Sequence, residues 1–336
     1  MLRNKLIAAL LVFACAMMIV LFTMHQSSNS RLDLTTNYHA HSESDYAAVR
    51  NKVAQLESDY AALLQNHTVS PGARLRAQYA SLEAEYASWV KTFVAPNPRH
   101  QDFCTKILTL QNTDGNSQFA QDTFVFFNIF KHWPMRGRKG FYVDSGANEA
   151  VHHSNTYFFD VCLGWPGLCV EPNESYHHGI RTERTCTLIP ECISDKDTTV
   201  SFDNQGTGGK VGAGSGSIKC TTLEKMLKRS VNPNQQVVDF WSLDVEGHEM
   251  SVLNSVDFKR IPVLALLVED FWVRLRDLDY LLYKNGFKKL APLAVDSLYT
   301  PKDLEEPLEI WYPAKFFKHI EFHQQWRKTP GLDIIC

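Results

Sequence analysis

Short apolar runs alternate with helix-spaced segments through the second half of the chain. Strands are predicted at Phe141–Val143, Leu168–Val170, Thr187–Pro190, Val237–Leu243, Val263–Val268, Lys288–Val295 and Leu308–Tyr312. Helices are predicted between them, at about Ser154–Leu163, Glu174–Arg184 and Val273–Lys284. This alternation predicts an α/β fold: a Rossmann-like seven-stranded sheet with flanking helices. The helix-spaced apolar segment Phe124–Trp133 is expected to cover the edge of that sheet.

The N-terminus carries an uninterrupted apolar run, Leu6–Met24, preceded by Arg3 and Lys5. As a helix the run is roughly 28 Å long, enough for a thin bilayer. The basic residues place positions 1–5 in the cytosol and predict a single-pass type II membrane protein. A cleaved signal peptide is the alternative, but the run is long for one and no small-residue cleavage site follows Met24.

The pattern between the anchor and the globular part, residues 25–98, predicts a helical, coiled-coil-like stalk. Apolar residues spaced by three and four recur on both sides of Pro71-Gly72, the later set being Leu75, Tyr79, Leu82, Tyr86, Trp89 and Phe93. The stalk either forms a homodimer or folds back on itself as two helices. Asn66-His67-Thr68 is a glycosylation sequon that a lumenal stalk could use. Residues 99–336 form the predicted globular domain.

The segment Phe141–Asn173 reads strand, glycine turn, helix, strand, acid, which is the nucleotide-binding half of a doubly wound fold. Gly146 allows a tight turn after Asp144, because glycine has no Cβ. Glu171 ends the second strand and is placed to accept hydrogen bonds from a ribose diol. No GxGxxG or Walker lysine is present, which favours an uncharged nucleoside over a dinucleotide or triphosphate.

A second group of acids follows the predicted strand Val237–Leu243, in the order Asp244, Glu246 and Glu249. Crowded carboxylates repel, so one of them should hold a proton or they should share a cation. Either state suits removal of a proton from a sugar hydroxyl. For Glu249, capping of a helix N-terminus is an equal interpretation.

Two other residue types carry less information. The adjacent histidines His152-His153 and His177-His178 point apart, so no metal site is assigned to them. Of eight cysteines, all but Cys15 follow the apolar run, an odd number. In an oxidising lumen most would pair. The close candidates are Cys162 with Cys169 and Cys186 with Cys192, although spacing does not establish connectivity.

Several motifs together resemble the FkbM family of S-adenosylmethionine-dependent O-methyltransferases. They are Ser117-Gln118, Gln121-Asp122, Asp144–Asn148, Ser154–Phe158, Gly164–Leu168, Glu171–Asn173, Ile193–Asp195, Ser242–Glu249 and Val268–Asp270. The similarity covers roughly Asp102–Trp311 and implies the methyltransferase form of the fold. One departure is Glu149-Ala150, where the family usually has Asp-Gly; a positive φ at Ala150 would strain an alanine.

The resemblance implies roles for single residues. Those expected to hold S-adenosylmethionine are Asp144, Gly146, Asn148, Glu171 and Asp195. Asp195 would lie on the adenine side, although a surface turn is the plain interpretation. Asp244 and Glu246 would be the catalytic base or would hold a divalent cation.

The function implied is transfer of a methyl group to a hydroxyl, of a glycan or a small molecule, by a Golgi or ER enzyme with a lumenal domain. The family also includes Star-like type II membrane proteins that act in cargo trafficking, so a non-catalytic role is the alternative. With a net charge of −3 and no basic stretch, the chain is not expected to bind nucleic acid.

Overall fold

The computed structural model describes residues 71–202, 216–230, 237–304, 307 and 310–313. The chain divides into two compact units, Met1–Arg74 and Leu75–Cys336, and the second of these contains both β-sheets. The predicted anchor Leu6–Met24 and the Asn66 sequon lie outside the described residues. Within the described ranges, every helix is too short or too polar to cross a bilayer.

A seven-stranded sheet forms the centre of the fold, in the order β3-β2-β1-β7-β8-β10-β9. Its strands are β1 (Tyr142–Ser145), β2 (Gly167–Val170), β3 (Thr187–Ile189), β7 (Val238–Leu243), β8 (Val263–Glu269), β9 (Phe287–Leu293) and β10 (Asp296–Pro301). Strand β10 runs antiparallel to β8 and β9, and the other pairs are parallel. The predicted α/β sheet is therefore confirmed.

A smaller three-stranded sheet, in the order β4-β6-β5, follows β3 along the chain. Its strands are β4 (Cys192–Ile193), β5 (Thr198–Phe202) and β6 (Gly216–Thr221). The α-helices are α1 (Pro71–Lys91), α2 (Gln101–Leu108), α3 (Gln121–Val125), α4 (Tyr157–Val161), α5 (Glu174–Glu183), α6 (Leu223–Ser230), α7 (Glu249–Ser255) and α8 (Leu275–Lys284).

Hydrophobic layers cover both faces of the large sheet. Strand β7 is buried along its whole length, and its successive side chains point to opposite faces. Phe240 lies in one layer and Trp241 in the other. This double burial explains why the central strands are apolar runs without alternation.

The segment Phe124–Trp133 packs on helix α4, which itself lies against β7, and its expected place over the sheet edge stays a prediction. Helix α3 continues into a π-helical turn, Phe126–Phe130. The rings of Phe126 and Phe158 are 4.9 Å apart, and Phe159 lies 5.0 Å from Phe240 of β7. The phenylalanines pack inward because the face beneath them is made of apolar side chains.

Two predicted elements differ in the structure. Among the described residues the last strand is β10, and Ile310–Tyr312 form no strand. The backbone of Trp311 instead forms hydrogen bonds with the side-chain amide of Asn128. The helix expected from Ser154 is the short α4. The Ser154 hydroxyl accepts the backbone N–H of Tyr157 at 3.1 Å, so Ser154 belongs to the turn that precedes the helix.

Helix α1 contains the second half of the predicted stalk. Its Tyr86 is buried and donates a hydrogen bond to the carbonyl of Leu108 at 3.0 Å. Glu83 forms an ion pair with Lys131 at 2.5 Å, and Trp89 packs against the core. Tyr86 and Trp89 of the predicted seam thus pack against the chain's own core, and a homodimer through the stalk stays a prediction.

The described residues contain disulfides between Cys104 and Cys162, Cys169 and Cys186, and Cys192 and Cys220. The pairs expected from short spacing, Cys162 with Cys169 and Cys186 with Cys192, were therefore wrong. The two sheets and the helices bring distant cysteines together, whereas neighbours along the chain lie on different elements.

Candidate active site

A cavity of about 440 Å³ opens at the carboxyl ends of β1, β2, β7 and β8. Strand β1 pairs with β2 on one side and with β7 on the other, so chain connections leave it in opposite directions. In open α/β sheets, ligands bind at such a switch point. The cavity thus lies at the sheet edge where the sequence predicted a ligand site.

The turn after β1 brings the backbone close to the neighbouring strand end. Gly146 has a φ of 85°, a left-handed value, and its N–H donates to the carbonyl of Val170 at 3.0 Å. A Cβ at this position would overlap with the carbonyl oxygen of Asp244. Glycine is therefore required here both by conformation and by space.

The departure at Ala150 does not affect the cavity. Asn148 is the residue of this turn with a positive φ, 47°, a conformation that asparagine tolerates. Ala150 is absent from the positive-φ residues of the described chain and does not line the cavity. It is buried and faces Gly179 of α5, so alanine is accommodated without strain.

Glu171 lines the cavity and also holds the turns around it. One carboxylate oxygen accepts the N–H of Asn148 and the other accepts that of Asn173, each at 2.7 Å. Burial raises the pKa of Glu171 to about 7, although the two amides act in the opposite direction. Each oxygen keeps a second lone pair, so a ligand hydroxyl can still bind.

Asp144 belongs to a buried charge network that the sequence did not reveal. Its Oδ2 accepts the hydroxyl of Thr156 at 2.5 Å and lies 3.8 Å from the guanidinium of Arg184. Arg184 is fully buried and pairs with Asp160 at 2.8 Å. Burial raises the pKa of Asp144, and Arg184 opposes that shift. The carboxylate is thus fixed by neighbours before any ligand arrives.

The second acid group meets at the ends of β7 and β8. Burial, then repulsion from Glu246, raises the pKa of Asp244 to about 7. Burial, then Asp244, raises the pKa of Glu269 to about 10, and the Glu269 side chain is hydrogen-bonded to Asp244. The sequence marked Glu269 only as part of the Val268–Asp270 motif. Its partnership with Asp244 requires β7 and β8 to be neighbours.

Glu249 is the first residue of α7, the helix N-terminal position that the sequence left open as its role, and its carboxylate holds the preceding turn. One of its oxygens accepts the N–H of Val245 at 2.9 Å and that of Gly247 at 3.1 Å, at the start of α7. Its other oxygen, Oε2, is buried with no hydrogen-bond partner in the described chain. Glu246, with a φ of 55°, lines the cavity beside it.

Asp195 lies outside the set of residues that line the cavity. Its side chain is 40% exposed and accepts the hydroxyl of Ser194 at 3.1 Å. The neighbouring Cys192 and Ile193 do line the cavity. A role for Asp195 in cofactor binding stays a prediction.

Two amide side chains join the site from segments given no role beforehand. Gln121 donates to Asp296 at 2.6 Å, and both line the cavity. Asn155 donates to Ser242 at 3.0 Å, while its carbonyl oxygen is buried without a partner among the described residues. Asn155 is part of the Ser154–Phe158 motif, which was the available signal.

The lining of the cavity is strongly acidic. The acids that line it are Asp144, Glu149, Glu171, Asp244, Glu246, Glu269 and Asp296. No lysine or arginine lines it within the part of the chain that the structure describes. Such a lining favours a cationic ligand and disfavours phosphates.

Comparison with known families identifies one match. The family described as Methyltransferase FkbM domain matches residues 144–289, from the acid that ends β1 into β9. The resemblance seen in the motifs is confirmed over these residues. No curated protein matches the chain, and no solved structure does. The match supports methyltransferase activity and a cofactor of the S-adenosylmethionine type.

Proposed function

We propose that this protein is an S-adenosylmethionine-dependent O-methyltransferase of the secretory pathway, acting on a hydroxyl of a glycan. The observation that carries the proposal is the cavity at the β1 switch point, lined by acids and by no lysine or arginine in the described chain. S-adenosylmethionine has a sulfonium and an ammonium group and no phosphate, so it suits such a lining.

The residues present fit this cofactor. Glu171 is placed to accept hydrogen bonds from the ribose diol, and Gly146 lets the backbone approach the ligand closely. The unpartnered carbonyl oxygen of Asn155 offers an acceptor to a cationic donor. Asp144 and Asn148 also line the cavity and are proposed to hold the cofactor. Asp195 is proposed to lie on the adenine side.

Asp244 and Glu246 are the proposed catalytic residues. When bound, the cofactor supplies a methyl group activated by the sulfonium. The acceptor hydroxyl must lose its proton as its oxygen forms the new bond to the methyl carbon. A carboxylate whose pKa lies near 7, as at Asp244, is matched to accept that proton at neutral pH.

A glycan acceptor is supported by the aromatic pair at the cavity. Phe271 and Trp272 line it, are 37% and 49% exposed, and have rings 4.8 Å apart. Exposed aromatic rings beside carboxylates offer apolar contact and hydrogen-bond acceptors to one ligand, a combination that suits a sugar.

A lumenal location, in the Golgi or ER, is part of the proposal. The three disulfides of the described residues are typical of an oxidising compartment. The apolar run Leu6–Met24 supplies the proposed type II anchor. The trafficking alternative rested partly on Ala150, which does not obstruct the cavity.

The test is transfer of a labelled methyl group from S-adenosylmethionine to a panel of glycans by the full-length protein. We expect Asp244→Asn to lower turnover by about two to four decades while cofactor affinity changes little, because the shape stays and the base is lost. Asp239→Asn, at the other end of β7, is the control and should keep turnover. Full activity of Asp244→Asn would contradict the catalytic assignment.

A further inference from the structure

Three carboxylates converge beside the floor of the cavity. Asp244, Glu249 and Glu269 each present one oxygen, and the three oxygens lie within 4.8 Å of one another. Oxygens that bind one Mg²⁺ or Ca²⁺ at about 2.1–2.5 Å cannot be more than about 5 Å apart. The spacing is therefore that of ligands around a single ion.

A second observation concerns oxygens that have no donor. Glu249 is fully buried, its Oε1 already holds two backbone amides, and its Oε2 has no hydrogen-bond partner in the described residues. Oε2 of Glu269 is also buried and also has no hydrogen-bond partner among the described residues. A buried carboxylate oxygen without a donor is costly, and a bound cation would satisfy it.

The charged groups around the cluster, as far as the structure describes them, are acidic. Within the described ranges, none of its three acids forms an ion pair with lysine, arginine or histidine. The charged groups that act on Asp244 are acids: Glu246, Glu249 and Asp144. Several acids packed without a base need either protons or a metal ion.

We propose that Asp244, Glu249 and Glu269 bind one divalent cation that prefers oxygen ligands, such as Mg²⁺, Mn²⁺ or Ca²⁺. The donor set contains only carboxylates, which hard cations prefer, and lacks the histidine and cysteine ligands typical of zinc sites. Asp244 and Glu269 line the cavity, so the remaining coordination positions of the ion face its interior.

The role of the cation, though not its binding, rests on the proposed methyl transfer. A cation at this place would bind the acceptor hydroxyl and lower its pKa, so that the oxygen attacks more readily. With the ion bound, Asp244 is a ligand and no longer the base. The proton then passes to Glu246, the other proposed catalytic residue, which lines the cavity outside the cluster. The site would then align the acceptor as well as activate it.

The experiment is a titration of the chelator-treated full-length protein with Mn²⁺, in which electron paramagnetic resonance measures the free and bound ion. We expect one site that fills below roughly 1 mM. Glu269→Gln should weaken it at least tenfold, because it replaces a carboxylate ligand by a neutral amide without touching a backbone amide. Glu249→Gln should do the same, but it also weakens the hydrogen bonds to the backbone amides of Val245 and Gly247. Asp239→Asn, a buried acid at the far end of β7, should leave affinity within twofold.

Thermal unfolding of the same samples separates a cation site from a structural role. Mn²⁺ should raise the midpoint of the wild type and of Asp239→Asn, but not that of Glu269→Gln. Absence of wild-type binding at roughly 1 mM, or equal weakening by Asp239→Asn, would overturn the proposal.

S-adenosylmethionine binding is measured separately with chelator present. If S-adenosylmethionine binds and Mn²⁺ does not, this inference fails while the proposed function stands. If Mn²⁺ binds and S-adenosylmethionine does not, the cation site stands and the proposed function fails.

Discussion

Two opposing effects set the pKa of Glu171 near neutral pH. Its carboxylate is buried beside Asp144, which favours the protonated form, and accepts two backbone amides, which favour the ionised form. The outcome is a pKa of about 7, compared with 4.5 for a free glutamate. A residue that was expected only to grip a ribose therefore also links protonation to folding.

We predict that Glu171 makes the folded state less stable as pH rises. The folded chain binds this proton more tightly than the unfolded chain does. The free energy of unfolding therefore falls between about pH 4.5 and pH 7, by up to about 3 kcal/mol. Urea unfolding at pH 5 and pH 8 should show a smaller decrease in Glu171→Gln than in the wild type. Equal decreases would show that the folded-state pKa is not raised.

Single residues divide clearly into those that sequence predicts and those it does not. Asp144, Gly146 and Glu171 follow apolar strands directly, so the pattern alone places them at the sheet edge. Arg184 sits at the end of a predicted helix, where an exposed cation is the ordinary expectation. Its burial depends on β1 and α4 supplying two acids, which no local pattern encodes.

At the scale of elements, the Arg184 network joins strand β1 to helix α4 and to the end of α5. Its guanidinium contacts Asp160, Thr156 and the hydroxyl of Tyr142, at distances between 2.6 and 3.1 Å. These contacts fix the end of β1 and the entry to α4, and both border the cavity. The network therefore positions the cofactor side of the site.

Replacement of Arg184 should strongly lower the free energy of unfolding. In Arg184→Met, Asp144 and Asp160 stay buried without their cation, and we expect a loss of about 3–5 kcal/mol in the free energy of unfolding. The control is Arg181→Met on the same helix, whose side chain is exposed and whose change should stay within about 0.5 kcal/mol. The measurement is the urea midpoint of unfolding of both variants and of the wild type, taken without reductant. Similar losses in both variants would contradict the network.

Element types were more predictable than element partners. Four of the parallel strands are short apolar runs, and their periodicity made them visible. Strand β10 begins with the buried polar residues Asp296 and Ser297, so it was missed and a later segment was chosen. The disulfides were mispaired for a related reason: spacing along the chain does not tell which elements pack together.

At the scale of the whole molecule, the N-terminal anchor and lumenal topology are proposals drawn from sequence. The disulfides agree with such a topology. The later part of the predicted stalk packs into the globular unit through Tyr86 and Trp89. Periodicity shows which face of a helix is apolar, but not whether that face meets a second chain or its own domain.

Asn173-Glu174-Ser175 is a second glycosylation sequon, and it should behave differently from that at Asn66 if the domain is lumenal. We predict a glycan on Asn66 and none on Asn173, which is buried, lines the cavity and caps α5 by accepting the N–H of Ser175. Asn66→Gln should abolish the mobility shift caused by a glycosidase, whereas Ser175→Ala should leave it unchanged. Loss of the shift in Ser175→Ala, or a mature N-terminus beyond Met24, would contradict this organisation.

The central claim is that the acidic cavity binds S-adenosylmethionine. Its most direct test is calorimetric titration of the full-length protein with S-adenosylmethionine, with ATP titrated as an anionic nucleotide control. We predict saturable binding of the first and none of the second. Gly146→Ala should abolish binding, because a Cβ there overlaps with the Asp244 carbonyl. Gly137→Ala, also at a left-handed position but in open space, should retain it. A correctly folded wild type that shows no heat with S-adenosylmethionine would contradict the account.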